Sequence, residues 1–328
     1  MKFIRTPEGR YPYVSAQALR YWLRSFLASM DGWTASPVFR ETKVAYTDAE
    51  PTAYAEDDLF GYMRAASKST DEKKAAKRKE IEATSTPVDA DVGEVTRVSP
   101  LRVGTLVAIS PVRIVQDWGV MARAEDNPVP HEHQFYRAHL KAPIGIDLTC
   151  AGTFFDSKRV GFKNLDGTRV ESAKRAGAAE VRVRGFSAYR LPIAIRQQRV
   201  AMVVRALGRL EGGAKQALHL TDTSPAALVL AVCRHGNQPF QRLFGPGDPT
   251  AFREDVLVEA LRVFGQDLQS DIYIGWTTGF LDSERRKLLD LLEQRGEQAP
   301  RIHVGHPLEV ADGFAKAIES PEHQPWFD

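Results

Sequence analysis

Apolar and polar positions alternate with three different rhythms along the chain. Over 15–30, SAQALRYWLRSFLASM, Leu19, Trp22, Leu23, Phe26, Leu27 and Met30 recur at steps of three and four. That spacing predicts one apolar face of a helix. Ser15 is a suitable N-cap, Gln17, Arg20 and Arg24 fall on the opposite face, and Gly32 ends the run. Strand signals follow. RVGTLVAIS (102–110) is short, apolar and β-branched, and KAPIGIDLTCAGTFF (141–155) alternates, with Ile144, Ile146, Leu148 and Cys150 on one side. Between them, 111–140 carries Trp118, Pro128, Pro130 and three histidines and reads as a long structured loop. Residues 155–190 are glycine-punctuated, with a hairpin expected around LDGTRV. Pro192 opens a second helix, apolar at Val200, Val203, Val204, Leu207 and Leu210 and stopped by Gly212-Gly213. A buried strand is expected at 226–232 and a strand at 272–276, with helices near 254–267, 282–295 and 308–319. No repeat of 20 to 50 residues is present.

The stretch 33–98 breaks these rhythms. Its one patterned piece, AEDDLFGYMRAA, has acidic residues where a helix start favours them. Residues 67–96 have almost no large apolar side chains, so a mobile insertion is expected there, unable to offset its ordering entropy.

The 328 residues are 43% hydrophobic and 26% charged, enough for a sizeable core. No apolar run approaches bilayer length, and the start MKFIRTPEGRYPYVS lacks the apolar core of a signal peptide. Cys150 and Cys233 form no disulfide framework and suit a reducing cytoplasm, as thiols buried in apolar strands. Net charge is only +2, but it is unevenly distributed. Residues 155–215 hold 14 Lys and Arg against five acids, leaving the remainder of the chain at −7. Such a local excess is the footprint of a polyanion site, or of a face meeting an acidic partner.

Enzyme signatures are missing: there is no GxxxxGK[ST] loop, GxSxG elbow or HExxH helix. His131 and His133 would share one strand face, but no fourth ligand follows at usable spacing, so loop histidines are expected rather than zinc. Asp57-Asp58 could bind magnesium or act as an acid/base pair, but also fits the acidic first turn of a helix. Gly212-Gly213-Ala-Lys215-Gln216 reads equally as a helix C-cap or as a loop that a phosphate backbone approaches, with Lys215 and Gln216 donating.

Taken in order, RYPYVSAQALRYWLR, AYAEDDLFGYM, TRVSPLRVGTLVAISPVR and GGAKQALHL resemble the Cas-seven backbone subunit of type I CRISPR Cascade complexes. The likeness is to the DevR/Cst-type autoregulator group of subtype I-B, over roughly 10–320. The resemblance implies an α+β fold, a modified RRM or ferredoxin-like palm across 1–328. Fingers would be inserted at 33–98, and the thumb would be a β-hairpin within 155–190. It implies a non-enzymatic protein without cofactor or metal. Copies of the chain would oligomerise along a CRISPR guide RNA, support its pairing with target DNA, and meet Cas-five, Cas-six and Cas-eight type subunits away from any membrane. The RNA contacts it implies are Ser15, Gln17, Arg20, Arg24, Lys158, Arg159, Lys163, Lys174, Arg175, Gly212, Gly213, Lys215 and Gln216. The family places a palm strand before the RYPYVS segment. Only about ten residues precede it here, so an unpaired sheet edge is expected. The thumb, poor in large apolar residues, is expected to need RNA for its order. The rivals are a metal-dependent ribonuclease like type III backbone subunits, acting through Asp57 or Asp58, and a DNA-binding regulator.

Overall fold

The computed structural model describes residues 1–41, 44–66, 80–121, 129–246 and 250–328. The fold is α+β and divides into two compact units, each assembled from three separate stretches of the chain.

The first unit comprises 1–21, 103–144 and 226–306. Its core is built on an antiparallel and parallel sheet in which Ile272–Trp276 lies between Ala227–Leu230 and Ile302–Gly305. The helices Glu254–Phe264 and Asp282–Arg295 supply Leu257 and Leu288 to a cluster with Phe252, Ile272, Ile274 and Trp276. Acidic first turns at Glu254–Asp255 and Asp282–Glu284 suit both helix starts. Trp276 is almost wholly buried, and its indole N–H donates to the Phe280 carbonyl at 2.6 Å, so the ring is placed without stranding a donor.

A four-stranded sheet in the same unit runs in the order Phe3–Thr6, Gly9–Val14, Leu106–Ala108, Leu140–Lys141. The RYPYV segment is therefore itself a strand, paired on both sides. The expected unpaired edge there is filled by Phe3–Thr6. The expected strand over 102–110 is two short ones, Leu101–Val103 and Leu106–Ala108. Gly104 interrupts them, where a Cβ would lie 2.7 Å from Pro143.

The expected loop 111–140 is instead a regular hairpin. Val115–Met121 pairs antiparallel with Val129–Phe135, with Val115 opposite Phe135 and Met121 opposite Val129. Both faces of this ribbon are solvated, so its side chains show no in/out alternation that could mark it as a strand pair.

The second unit comprises 22–102, 145–225 and 307–328. Helix Ile193–Gly208 packs against helix Pro307–Glu319. The close approach is made at Gly208, where a Cβ would lie 2.8 Å from that of Ala311. Gln197 adds hydrogen bonds to the Ile318 and Ser320 carbonyls, and Arg205 a bidentate pair with Glu319.

Residues 155–190, expected to lack a core, have one. Thr153–Phe155, Phe186–Arg190 and Ala179–Val183 form an antiparallel sheet, and helix Gly167–Arg175 helps bury Phe154, Leu165, Ala173 and Leu191. LDGTRV is not a hairpin turn. Asp166 caps the helix by accepting from the Arg169 amide at 3.0 Å. The hairpin of this segment turns instead at Arg184-Gly185, both at positive φ.

The alternation over 141–155 also ends early. After Ile144–Ile146, Asp147 closes a turn, its carboxylate and carbonyl both accepting from the Cys150 amide. In the expected mobile insertion, 67–79 lies outside the described residues, but 80–96 is built in. Ile81, Val95 and Thr96 are buried, and Glu94–Arg97 pairs with Tyr62–Ala65. Among the described residues no helix is long and apolar enough to cross a membrane.

Candidate nucleic-acid interface

Helix Ala16–Ala28 starts as its sequence predicts, with the Ser15 hydroxyl accepting from the Ala18 amide at 3.4 Å. Leu19, Leu23 and Leu27 are buried and Gln17 is exposed. Arg20 is half-buried, and so is Arg24, whose guanidinium is committed to the protein. Its Nε lies 3.1 Å from buried Glu56, and its head sits over the Phe60 ring at 5.1 Å.

Trp22 of the same helix meets the loop 212–220. A Cβ at Gly212 would lie 2.3 Å from Trp22 Cγ, so glycine there lets backbone and indole touch. Gly213 has φ +113°, and Lys215, exposed, takes a left-handed conformation before the short helix Gln216–His219. Gln216 holds the loop closed by donating to the carbonyls of Gly212 and Thr221. The loop presents Lys215 outward, along with Leu218 and Leu220, which are largely exposed. The structure thus brings the middle of the helix, at Trp22, and the Gly212–Gln216 loop together. Gln216's amide is spent on the loop rather than offered outward.

The basic segment fares differently from its charge count. Arg169 is 0% exposed and donates to the carbonyls of Asp48, Ala49, Thr86 and Pro87 and to the Asp166 carboxylate at 2.6 Å. Lys163 donates to the Val92 carbonyl, and Lys174 pairs with Glu171 at 2.8 Å. Arg205 pairs with Glu319, and Arg209 with Asp312. Lys158, Arg159, Arg175 and Arg182 stay on the surface, Arg159 stacked over Phe162. The excess of charge is therefore divided: Arg169, Arg196 and Arg199 form an internal scaffold, while most of the other basic side chains stay at the surface, several of them paired there.

Asp57 and Asp58 are also internal. Helix Ala55–Phe60 is buried along its whole length. Asp58 accepts from Arg97 at 2.5 Å, Arg199 at 2.8 Å and the Gly152 amide at 3.0 Å. Asp57 accepts from the Ser36 hydroxyl at 2.8 Å and the Glu50 amide at 2.9 Å. Burial pushes the carboxyls of Glu50, Glu56 and Asp57 above the usual carboxylate range. With both aspartates at 0% exposure, neither can meet a target strand or its metal, which removes the residues on which the ribonuclease reading stood. Among the described residues no group of three or more His, Cys, Asp or Glu side chains is arranged to hold a metal ion. Burial also raises both cysteine thiols, Cys150 to about 11, so neither is a ready nucleophile.

The feature that sequence reading missed is the hairpin 115–135. Trp118 is 71% exposed, and Val115, Val120, Val129 and Phe135 are exposed with it. On one face His131, His133 and Phe135 form a column with ring centroids 4.5 and 6.1 Å apart, and Gly119 opposite leaves room for the His131 ring. The available signal was the pair of seven-residue runs VQDWGVM and VPHEHQF, with Val115, Trp118 and Val120 in the first and Val129 and Phe135 in the second.

No family model matches this chain, and no curated protein matches it. Among solved structures it is similar to a chain of a "CRISPR RNA-guided surveillance complex" at 11% identity and TM-score 0.47, covering 96% of this chain and 90% of that one. A chain of a "CRISPR RNA-guided surveillance complex, pre-nicking" gives 12% identity and the same TM-score, covering 97% and 93%. Likeness this loose leaves the functional reading to the residues.

Proposed function

We propose that this chain is an RNA-binding backbone subunit of a CRISPR surveillance complex, several copies of which line one guide RNA. The motif order from RYPYVS to GGAKQALHL supports the family, and the hairpin 115–135 is the observation that carries the role. A two-stranded ribbon is marginal in water by itself, and one with Trp, Val and Phe on both faces calls for a partner that covers them. Aromatic side chains on such a ribbon suit unpaired bases, which stack without regard to sequence. A contact made by a projecting element on a different patch of the next copy is heterologous and does not close, so the assembly grows as a helical filament along the strand. Lys158, Arg159, Arg175 and Lys215, all exposed, suit phosphates of that strand. In this reading the projecting arm is 115–135, and 155–190 is part of the folded body.

The test is what nucleic acid copurifies. A discrete RNA species, protected from nuclease and bound with log affinity falling at about −0.7 per phosphate contact against log salt, is expected. A chain that purifies free of nucleic acid and binds single-stranded RNA without salt dependence overturns the proposal.

A further inference from the structure

A pocket of about 280 Å³ opens in the second unit, lined among others by Ala179, Arg190, Ile193, Arg196, Gln324 and Asp328. Arg196 is only 2% exposed. Its Nε donates to the Ala151 carbonyl at 2.8 Å, and its Nη2 to those of Leu148 at 3.1 Å and Phe327 at 2.7 Å. These acceptors are neutral. Among the described residues no carboxylate forms an ion pair with Arg196, and its Nη1 donates to none of them.

Arg190 lines the same pocket, four-fifths buried. Its Nε donates to Thr153 Oγ1 at 3.2 Å. Its Nη1 lies 3.6 Å from the carboxylate of Asp328, a long contact to a side chain that is mostly in solvent. Burial first, and the Arg190 charge second, lower the Arg196 pKa to about 10, which leaves it protonated at neutral pH. Two guanidinium charges thus converge on a pocket whose one lining carboxylate, that of Asp328, is mostly in solvent; buried Asp58 also acts on Arg196, but forms no ion pair with it and is itself paired with Arg97 and Arg199.

The wall between them is the start of the helix Ile193–Gly208. Pro192 carries no N–H, and the amides of Ile193 and Ala194 precede the first intrahelical bonds, which run from Ile195 and Arg196 to the Pro192 carbonyl. That end of the helix adds positive potential to the two arginines.

We propose that this pocket is a phosphate site, with Arg190 and Arg196 as its cationic walls. A phosphate carries up to two charges and oxygens that match guanidinium forks, whereas a single carboxylate would neutralise only one of the two arginines. The volume is at the lower edge of small-molecule pockets, so it admits a phosphate with a sugar-sized attachment. The phosphate is carried either on a free small molecule or on a nucleic-acid backbone. The site stands on its own geometry and does not depend on the RNA-binding reading.

The experiment titrates inorganic phosphate against chloride at equal ionic strength and pH 7, following backbone amide resonances. Saturable shifts at Ile193 and Ala194 are expected in the natural chain. Arg196 carries the local fold, so the variants are placed at the rim: Arg190→Gln removes one cation and Ala179→Glu puts a carboxylate into the opening. Each should weaken phosphate binding about tenfold or more while resonances elsewhere stay in place. A second arm titrates a mixed-sequence single-stranded RNA. RNA affinity lost in both variants assigns the phosphate to a nucleic-acid backbone. RNA affinity unchanged, with phosphate binding lost, assigns it to a free phosphorylated molecule. No saturable phosphate response in the natural chain, or an equal response in both variants, overturns the site.

Discussion

Two regions of this chain reverse what their compositions suggest. The segment 155–215 carries 14 Lys and Arg against five acids, the charge of a solvated, polyanion-facing surface. Yet it supplies much of the inside of the second unit, with Arg169, Arg196 and Arg199 buried. The hairpin 115–135 carries Trp118, Phe135 and three valines, residue types that favour burial, yet all five are exposed. The difference lies in partners. The buried arginines each find fixed acceptors, carbonyls and the Asp58 and Asp166 carboxylates, that replace lost hydration. On the ribbon, Gln116, Glu132 and Gln134 bond to one another and His131, His133 and Phe135 stack, yet Trp118 and the valines stay in water. Charge counts along a sequence report supply, and only the fold shows which charges reach the surface.

The most damaging break of this contrast is expected inside the arginine scaffold. Asp58→Ala leaves Arg97 and Arg199 buried without their shared counter-charge and should cost roughly 3–5 kcal/mol in urea unfolding. Arg169→Lys, with one donor head in place of a fork that serves five acceptors, should cost a comparable amount. Charge reversal at exposed Lys158 or Arg175 should instead stay within about 0.5 kcal/mol. Equal effects at both kinds of position would erase the distinction.

Gly212→Ala comes next. The new methyl collides with the Trp22 ring, and overpacking of this kind costs about 1–3 kcal/mol. Chemical denaturation measures it, and a neutral result would show that the loop's glycine serves an external strand rather than the indole.

Trp118→Ser probes the other region. Stability should change by less than about 0.5 kcal/mol, because the indole is already in water. RNA content of the purified assembly should fall. Unchanged RNA content would leave the ribbon without the proposed task.

The smallest effect concerns pH. Glu50 sits with one carboxylate oxygen buried and unpartnered, and burial raises its pKa. An acid whose folded pKa is raised contributes stability that is full below its unfolded pKa and lost as pH rises through the folded one. Glu50→Gln should therefore compare most favourably with the natural chain at pH 7. The margin should shrink as pH falls toward the ordinary glutamate range. A margin that grows in acid would contradict the burial cause.

Helix 15–30 was legible because its face is sorted by period, and its cap, its apolar stripe and its end all agree. The helices Ile193–Gly208, Glu254–Phe264 and Asp282–Arg295 were legible for the same reason. Local chemistry determines such elements, since the residues that decide them lie within a turn of one another. Tertiary structure decided the rest. Asp166-Gly167 reads as a hairpin turn by itself. It became a helix cap because Arg169, three residues on, is drawn into a cage of carbonyls from 48–49 and 86–87, far away in sequence. The candidate contacts divided on the same ground. Gln17, Lys158, Arg159, Arg175 and Lys215 remain exposed, whereas Arg24, Lys163, Lys174 and Gln216 are held by Glu56, Val92, Glu171 and Gly212. A side chain's type sets what it can bond to. Which partner reaches it first depends on chain segments that only folding brings near.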